Sequence, residues 1–228
     1  MTDLHITPVT GVPEVRSGDD LAELIARALD DGALRDGDVL VVAHKVVSKA
    51  EGRVVPAAGR MEVALGEAKR VLRRMGDMVI AETHHGLVCA NAGVDASNVE
   101  GDNIVVLPRD PDASARRLRS RLLRLTRADV AVIVSDTFGR AWRLGQTNVA
   151  IGLAGVDPFL DHRGSTDTQG RILDATRICV ADEIAGAAEM VMGKADGICA
   201  AIVRGARIDR GRGAATDIVR PPSEDLFR

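Results

Sequence analysis

With 228 residues, a net charge of −3 and 46% apolar against 28% charged residues, the chain suits an ordinary globular protein and carries no polyelectrolyte field for nucleic acid. Three Phe, one Trp and no Tyr exclude a site built mainly on stacked aromatic platforms, so a ring-shaped ligand must rest on aliphatic walls and polar edges. Three scattered cysteines, Cys89, Cys179 and Cys199, form no CxxC pair for zinc and point to buried, reduced thiols.

The opening MTDLHITPVTG lacks a basic and apolar leader, and no run of about 18 apolar residues follows, so a cytoplasmic protein without a membrane span is expected. Ser17-Gly18-Asp19-Asp20 offers oxygen caps for a helix with Leu21, Leu24, Ile25, Ala28 and Leu29 on one stripe, ended by Gly32. Residues 38–43 form a nearly continuous apolar run after Gly37, the pattern of a strand buried on both faces. The spacing of Ala64, Leu65, Ala68, Val71 and Leu72 predicts a helix over 61–75, with Arg70, Arg73 and Arg74 on its solvated side. Strands are expected at 78–81, 86–90, 104–107, 129–135, 172–180 and 197–204, and helices near 112–126 and 181–193. Gly/Arg-rich residues 205–215 read as a mobile surface loop. The strand spacing lacks strict βαβα alternation, so the predicted class is α+β, a single domain over 1–228 with two lobes as an option.

Common nucleotide signatures are missing: neither GxxxxGK[ST] nor a GxGxxG after a predicted strand occurs. The informative stretch is SDTFGRAWRLGQTN, 135–148, at the end of an apolar strand. There Asp136 and Thr137 offer oxygens to Mg²⁺ or Mn²⁺, while Arg140 and Arg143 face phosphate or carboxylate groups. Residue chemistry alone favours a plainer reading, a capped turn with surface arginines. A second cluster, CANAGVDASN at 89–98, places Asp95 and Asn98 among small residues, and Asp95 and Asp136 would jointly hold a cation unless each only caps an Asx turn. Lys49, within HKVVSK, follows the first buried strand directly, where phosphates commonly sit.

Together, TGVPEVRSGDDL, GDVLVVAHKVVSKAEGRVV, HGLVCANAGVDASNV, SDTFGRAWRLGQTNVAIG and VADEIAGAAEMVMGKADGICAAIVRG resemble the coenzyme F420-0:L-glutamate ligase family, also called gamma-glutamyl ligase, in family order across 10–204. The resemblance implies an unusual two-lobed α+β fold, an intertwined homodimer, and GTP bound without a phosphate loop of the common type. It puts a first metal on Asp95 and Asp136 and a second on Thr137 and Lys194, as Mg²⁺ or Mn²⁺, and allows for K⁺. Guanine nucleotide contacts fall on Val12, Pro13, Glu14, Val15, His44, Lys45, Lys49 and Asn98, and on the 192–199 loop that begins Met192-Gly193-Lys194. Many members carry Ser where this chain has His44 and Gln where it has Lys194, and a protonated lysine cannot ligate a cation. The chain is also similar to the ligase half of a fused actinobacterial enzyme, without its nitroreductase-like half, and PPSEDLF at 221–227 resembles the family's ligase-domain end.

The implied reaction is phosphorylation of the precursor's terminal carboxylate by GTP, then attack of the L-glutamate amine on the acyl phosphate. Asp95, Asp136, Lys49, Arg140 and Arg143 are the expected catalytic set. Two alternatives stand beside it: a ligase of this fold acting on another carboxylate, and a noncatalytic module that binds the F420 precursor. GTP turnover with glutamate separates an enzyme from a binding module.

Overall fold

The computed structural model describes residues 3–226. Phe227, in the segment resembling the family's ligase-domain end, lies outside the described residues. The first half of the chain runs β1 (His5–Pro8), α1 (Leu21–Ala28), β2 (Val39–Ala43), α2 (His44–Ala50), β3 (Val54–Pro56), α3 (Arg60–Glu67), β4 (Ala68–Met75), β5 (Met78–Thr83), β6 (Val88–Ala90) and β7 (Asn103–Val105). The second half runs α4 (Pro111–Thr126), β8 (Ala131–Arg140), β9 (Arg143–Ala154), β10 (Leu160–Asp161), β11 (Arg177–Ile178), α5 (Val180–Met192) and β12 (Ala200–Arg204). The result is a mixed α and β protein with several sheets.

The main sheet has the strand order β1-β12-β2-β8-β9, in which β2 and β8 pair parallel and the other neighbours antiparallel. Because side chains alternate across a strand, β2 and β8 serve two cores at once. Leu40, Val42, Val132 and Val134 pack with Ile25 of α1 and Leu118 and Leu122 of α4. Val39, Val41, Ala131 and Ile133 pack on the opposite face with Ile184, Ala185 and Ala188 of α5. Both strands therefore read as unbroken apolar runs, and the sheet is the middle layer of three. Asp20 caps α1 by accepting from the Glu23 N–H at 3.1 Å, and Asp110 caps α4 by accepting from the Ala113 N–H at 2.8 Å.

Strand β9 lies against the start of α4 so closely that a Cβ on Gly152 would sit 2.4 Å from the Pro111 carbonyl oxygen. Backbone cannot yield as a flexible side chain does. Gly152→Ala is therefore expected to cost about 3 kcal/mol or more, read as a lower urea midpoint with an unchanged m-value.

A second assembly occupies 54–105. There β4-β5-β6 form an antiparallel sheet, β3 pairs with β7, and two small clusters supply the packing: Ala64, Val94, Ile104 and Val106 in one, Val79, Ala81 and Ala92 in the other. The helix predicted over 61–75 is real only as far as Glu67. Ala68 turns extended, and β4 pairs with β5 across a turn containing Gly76, whose φ is 58°. Helical periodicity loses here because Leu65 and Val71 find no apolar surface, both remaining about 40% exposed (42% and 41%), whereas pairing puts Arg70 against Glu82 at 3.1 Å.

Three other expectations change. α1 ends at Ala28, well before Gly32, because Leu29 is already extended. The strand expected at 172–180 shrinks to β11, since Asp167 accepts from the Gln169 and Arg171 N–H groups and fixes a loop. Residues 205–215 are irregular as expected but tied down: Gly213 packs against Pro158, Ala215 is buried, and Arg210 donates to the Asp129 carbonyl. Strand β9 itself went unpredicted, its alternation hidden by the polar run that begins it. Among the described residues no helix is long and apolar enough to cross a membrane.

Candidate active site

The parallel pairing of β2 with β8 sets Ala43 beside Ser135, so two chain segments leave the sheet together. β2 passes straight into α2, whose first residues are His44 and Lys45; β8 continues into Asp136 and Thr137. Ligands of α/β sheets commonly lie outside such carboxyl ends. Here they form one wall of a cavity of about 830 Å³. Glu14 enters from the loop before α1, Asp95, Ser97, Asn98 and Glu100 from the second assembly, and Met192, Gly193, Lys194, Gly197, Ile198 and Cys199 from the end of α5 and the following loop.

On α2 the helical period separates two jobs. His44 and Ser48, four apart, are buried, His44 at the cavity wall, while Lys45 and Lys49, also four apart, line the cavity with their charges. The His44 Nε2 lies 3.2 Å from Asp136 Oδ1, an ion-pair distance rather than an aligned hydrogen bond. His44 Nδ1, Ser48 Oγ and Ser135 Oγ are buried without hydrogen-bond partners in the protein. The Thr137 N–H donates to Asp136 Oδ1 at 2.6 Å.

The lysines are each matched to an acid. Lys45 Nζ is 2.8 Å from Asp95 Oδ2 and also contacts Ser97 Oγ; Lys49 Nζ is 2.5 Å from Glu14 Oε1; Lys194 Nζ is 3.1 Å from Glu189 Oε1. Burial pushes the Asp95 carboxyl up, but the Lys45 ammonium and the Ser97 N–H together outweigh it and hold the group below its ordinary value. Burial, with the Asp136 charge adding to it, pushes the buried Cys89 thiol up to about 12, which disfavours its thiolate. Cys199, on the cavity wall, is also raised by burial.

Five carboxylates, those of Glu14, Asp95, Glu100, Asp136 and Glu189, face only three lysines. A polyphosphate would not enter such a surface alone, whereas a divalent cation would balance it. Among the described residues no three His, Cys, Asp or Glu side chains converge on one point.

Of the predicted residues, the cavity brings together Glu14, His44, Lys45, Lys49, Asp95, Asn98, Asp136, Thr137, Met192, Gly193 and Lys194. It leaves out Val12 and Pro13, and Val15 is buried in the main core. Arg140 and Arg143 sit at the tip of the β8–β9 hairpin, exposed, where Arg140 Nη2 donates to the Leu144 carbonyl at 3.2 Å. Sequence reasoning missed Gln146, Asn148 and Glu189. Asn148 is 4% exposed, and it lies opposite Thr137 in the register of the β8–β9 hairpin.

The family model for F420-0:Gamma-glutamyl ligase matches residues 11–59 and 56–205 of this chain. A protein of Methanothermobacter thermautotrophicus named coenzyme F420:L-glutamate ligase is 43% identical, over 99% of this chain and 99% of its own length. Proteins of the same name from Methanopyrus kandleri and Methanocaldococcus jannaschii are 46% and 40% identical, covering 99% and 91% of this chain and 98% and 90% of their own lengths.

Proposed function

This chain belongs to the F420-0:gamma-glutamyl ligase family, and on that premise we propose that it joins L-glutamate to coenzyme F420-0 at the expense of GTP, through an acyl phosphate. It is an enzyme, a ligase of coenzyme F420 biosynthesis. The observation that carries the reaction in detail is the meeting of Lys45 and Lys49 with Asp95 and Asp136, from three separate segments, in one cavity at the carboxyl ends of β2 and β8.

Asp95 and Asp136 would hold a divalent ion, Mg²⁺ or Mn²⁺, through their carboxylate oxygens. Such an ion, when bound, stabilises negative charge on the transferring phosphoryl group. Lys45 and Lys49 exchange their carboxylate partners for phosphates, with Lys49 held at 11% exposure, where its charge is poorly screened. Asn98 donates from Nδ2 to the Lys194 carbonyl at 3.2 Å, tying the second assembly to the loop after α5 across the nucleotide. The cavity's share of the rate lies in alignment: it holds carboxylate and γ-phosphate in line, then carbonyl carbon and the glutamate amine, for which effective molarity can contribute roughly 7–11 kcal/mol. Arg140 and Arg143, outside the cavity of a single chain, grip acidic substrate groups that extend beyond it.

The chain works as a homodimer in the cytoplasm. Two hairpins support the dimer: β4–β5 exposes Val71, Met75 and Met78, and the β8–β9 tip exposes Trp142 and Leu144.

Mass spectrometry of F420-0 incubated with the protein, GTP, Mn²⁺ and L-glutamate is expected to show addition of glutamate together with GDP and phosphate. GTP hydrolysis without a glutamylated product would point to another carboxylate substrate, and no nucleotide turnover would sink the ligase reading.

A further inference from the structure

On the wall of the cavity formed by β8, β9 and α5, three oxygens surround the Lys194 ammonium. Glu189 Oε1 is 3.1 Å from Nζ, Asn148 Oδ1 is 3.4 Å away, and Thr137 Oγ1 is in direct contact. The oxygens are fixed independently of the lysine. Thr137 Oγ1 donates to Asn148 Oδ1 at 2.6 Å, and Asn148 Nδ2 donates to Glu189 Oε2 at 2.9 Å, so three elements hold one another before any cation arrives. Carboxylate, amide and hydroxyl oxygens are the hard donors that a small cation takes. An ammonium group, with three N–H donors and no acceptor, fits the same set and cannot itself ligate a metal. Lys194 reaches it from the loop after α5, its side chain 57% exposed and its backbone carbonyl held by Asn98.

We infer that Lys194 is a tethered cation: its ammonium fills the pocket of Thr137, Asn148 and Glu189 and presents positive charge to a bound phosphate where a second divalent ion would otherwise sit. The chain then takes up one divalent ion with its nucleotide, at Asp95 and Asp136, instead of two. This rests on the ligase reading of the cavity. It also gives Lys194 a part different from that of a metal contact, because removing the ammonium should open the pocket to a metal rather than close it.

Equilibrium dialysis of the full chain against Mn²⁺ and GDP tests the inference without turnover, since free Mn²⁺ and Mn·GDP equalise across the membrane and only the protein-bound excess is counted. Wild type is expected to hold one Mn²⁺ per chain. Lys194→Gln is expected to hold two, the second binding at least roughly tenfold more tightly than any second ion in wild type, as removal of a like charge a few ångströms away implies. Adding Glu189→Gln to Lys194→Gln is expected to return the count to one, with nucleotide retention and thermal melting reporting that each variant is folded. Two equally tight Mn²⁺ ions in wild type, or one in both wild type and Lys194→Gln, overturns the inference while nucleotide retention keeps the ligase reading standing. Failure of wild type to retain GDP overturns both.

Discussion

Asp136→Asn is expected to lower ligation by about a thousandfold, equivalent to about 4 kcal/mol of transition-state stabilisation. The residue is the point where three features of the site meet. Its strand, β8, runs parallel to β2 and delivers it to the cavity; His44 lies against one of its oxygens at 3.2 Å; and it is, with Asp95, one of the two carboxylates proposed to hold a divalent ion. The amide keeps the volume and leaves Oδ1 free to accept the Thr137 N–H, so the fold should be undisturbed. What is lost is charge, and with it the affinity for the cation. Initial rates measured across a Mn²⁺ series should show a deficit that added metal recovers only in part, with melting within a degree or two of wild type. Near-normal turnover at ordinary metal concentration would remove Asp136 from the metal site. Asp95→Asn should behave in the same direction, with Lys45 released from its partner.

Lys49→Met is expected to weaken GTP binding by about 2 to 3 kcal/mol, or about 30- to 150-fold. The methionine retains the aliphatic stem of a side chain that is 11% exposed and loses its ammonium group. Its partner in the free protein, Glu14, is 66% exposed and rehydrates at little cost, so folding is insulated from the change. Calorimetric titration with GTP and Mg²⁺ should show the loss mainly in affinity. If affinity is unchanged and the melting temperature falls, Lys49 is a structural residue and the phosphate contact lies elsewhere.

What could be read from the sequence divides along physical lines. The buried runs of β2 and β8 and the amphipathic α4 and α5 were legible because strong apolar patterns record burial directly, and burial is what holds them in place. β4 was not legible. Its residues carry a helical spacing, and only the pairing with β5, decided by a glycine turn and a shared glutamate, overrides it. For the site, single residues said little: Asp95 and Asp136 each looked like a turn former, and the resemblance of whole blocks brought them together before the cavity did. Asn148 and Glu189 escaped notice because their importance comes from cross-strand register and helix placement, which leave no mark on the residues themselves. Arg140 and Arg143 illustrate another limit of sequence proximity: they are close to Asp136 in the chain, yet β8 ends at Arg140 and β9 begins at Arg143, so both stand at a hairpin tip outside the lining of the single-chain cavity.

The cavity has walls of unequal durability. His44, Lys45, Asp136 and Thr137 stand on strands and a helix anchored in the large central core, whereas Asp95 and Asn98 belong to an assembly whose apolar clusters are small. Segments with few buried apolar contacts open at lower free energy than the protein as a whole. Part of the site can therefore come apart while the main sheet persists, so the lifetime of a competent active centre is set by the weaker packing of residues 54–105 and not by the stability of the fold that most of the sequence encodes.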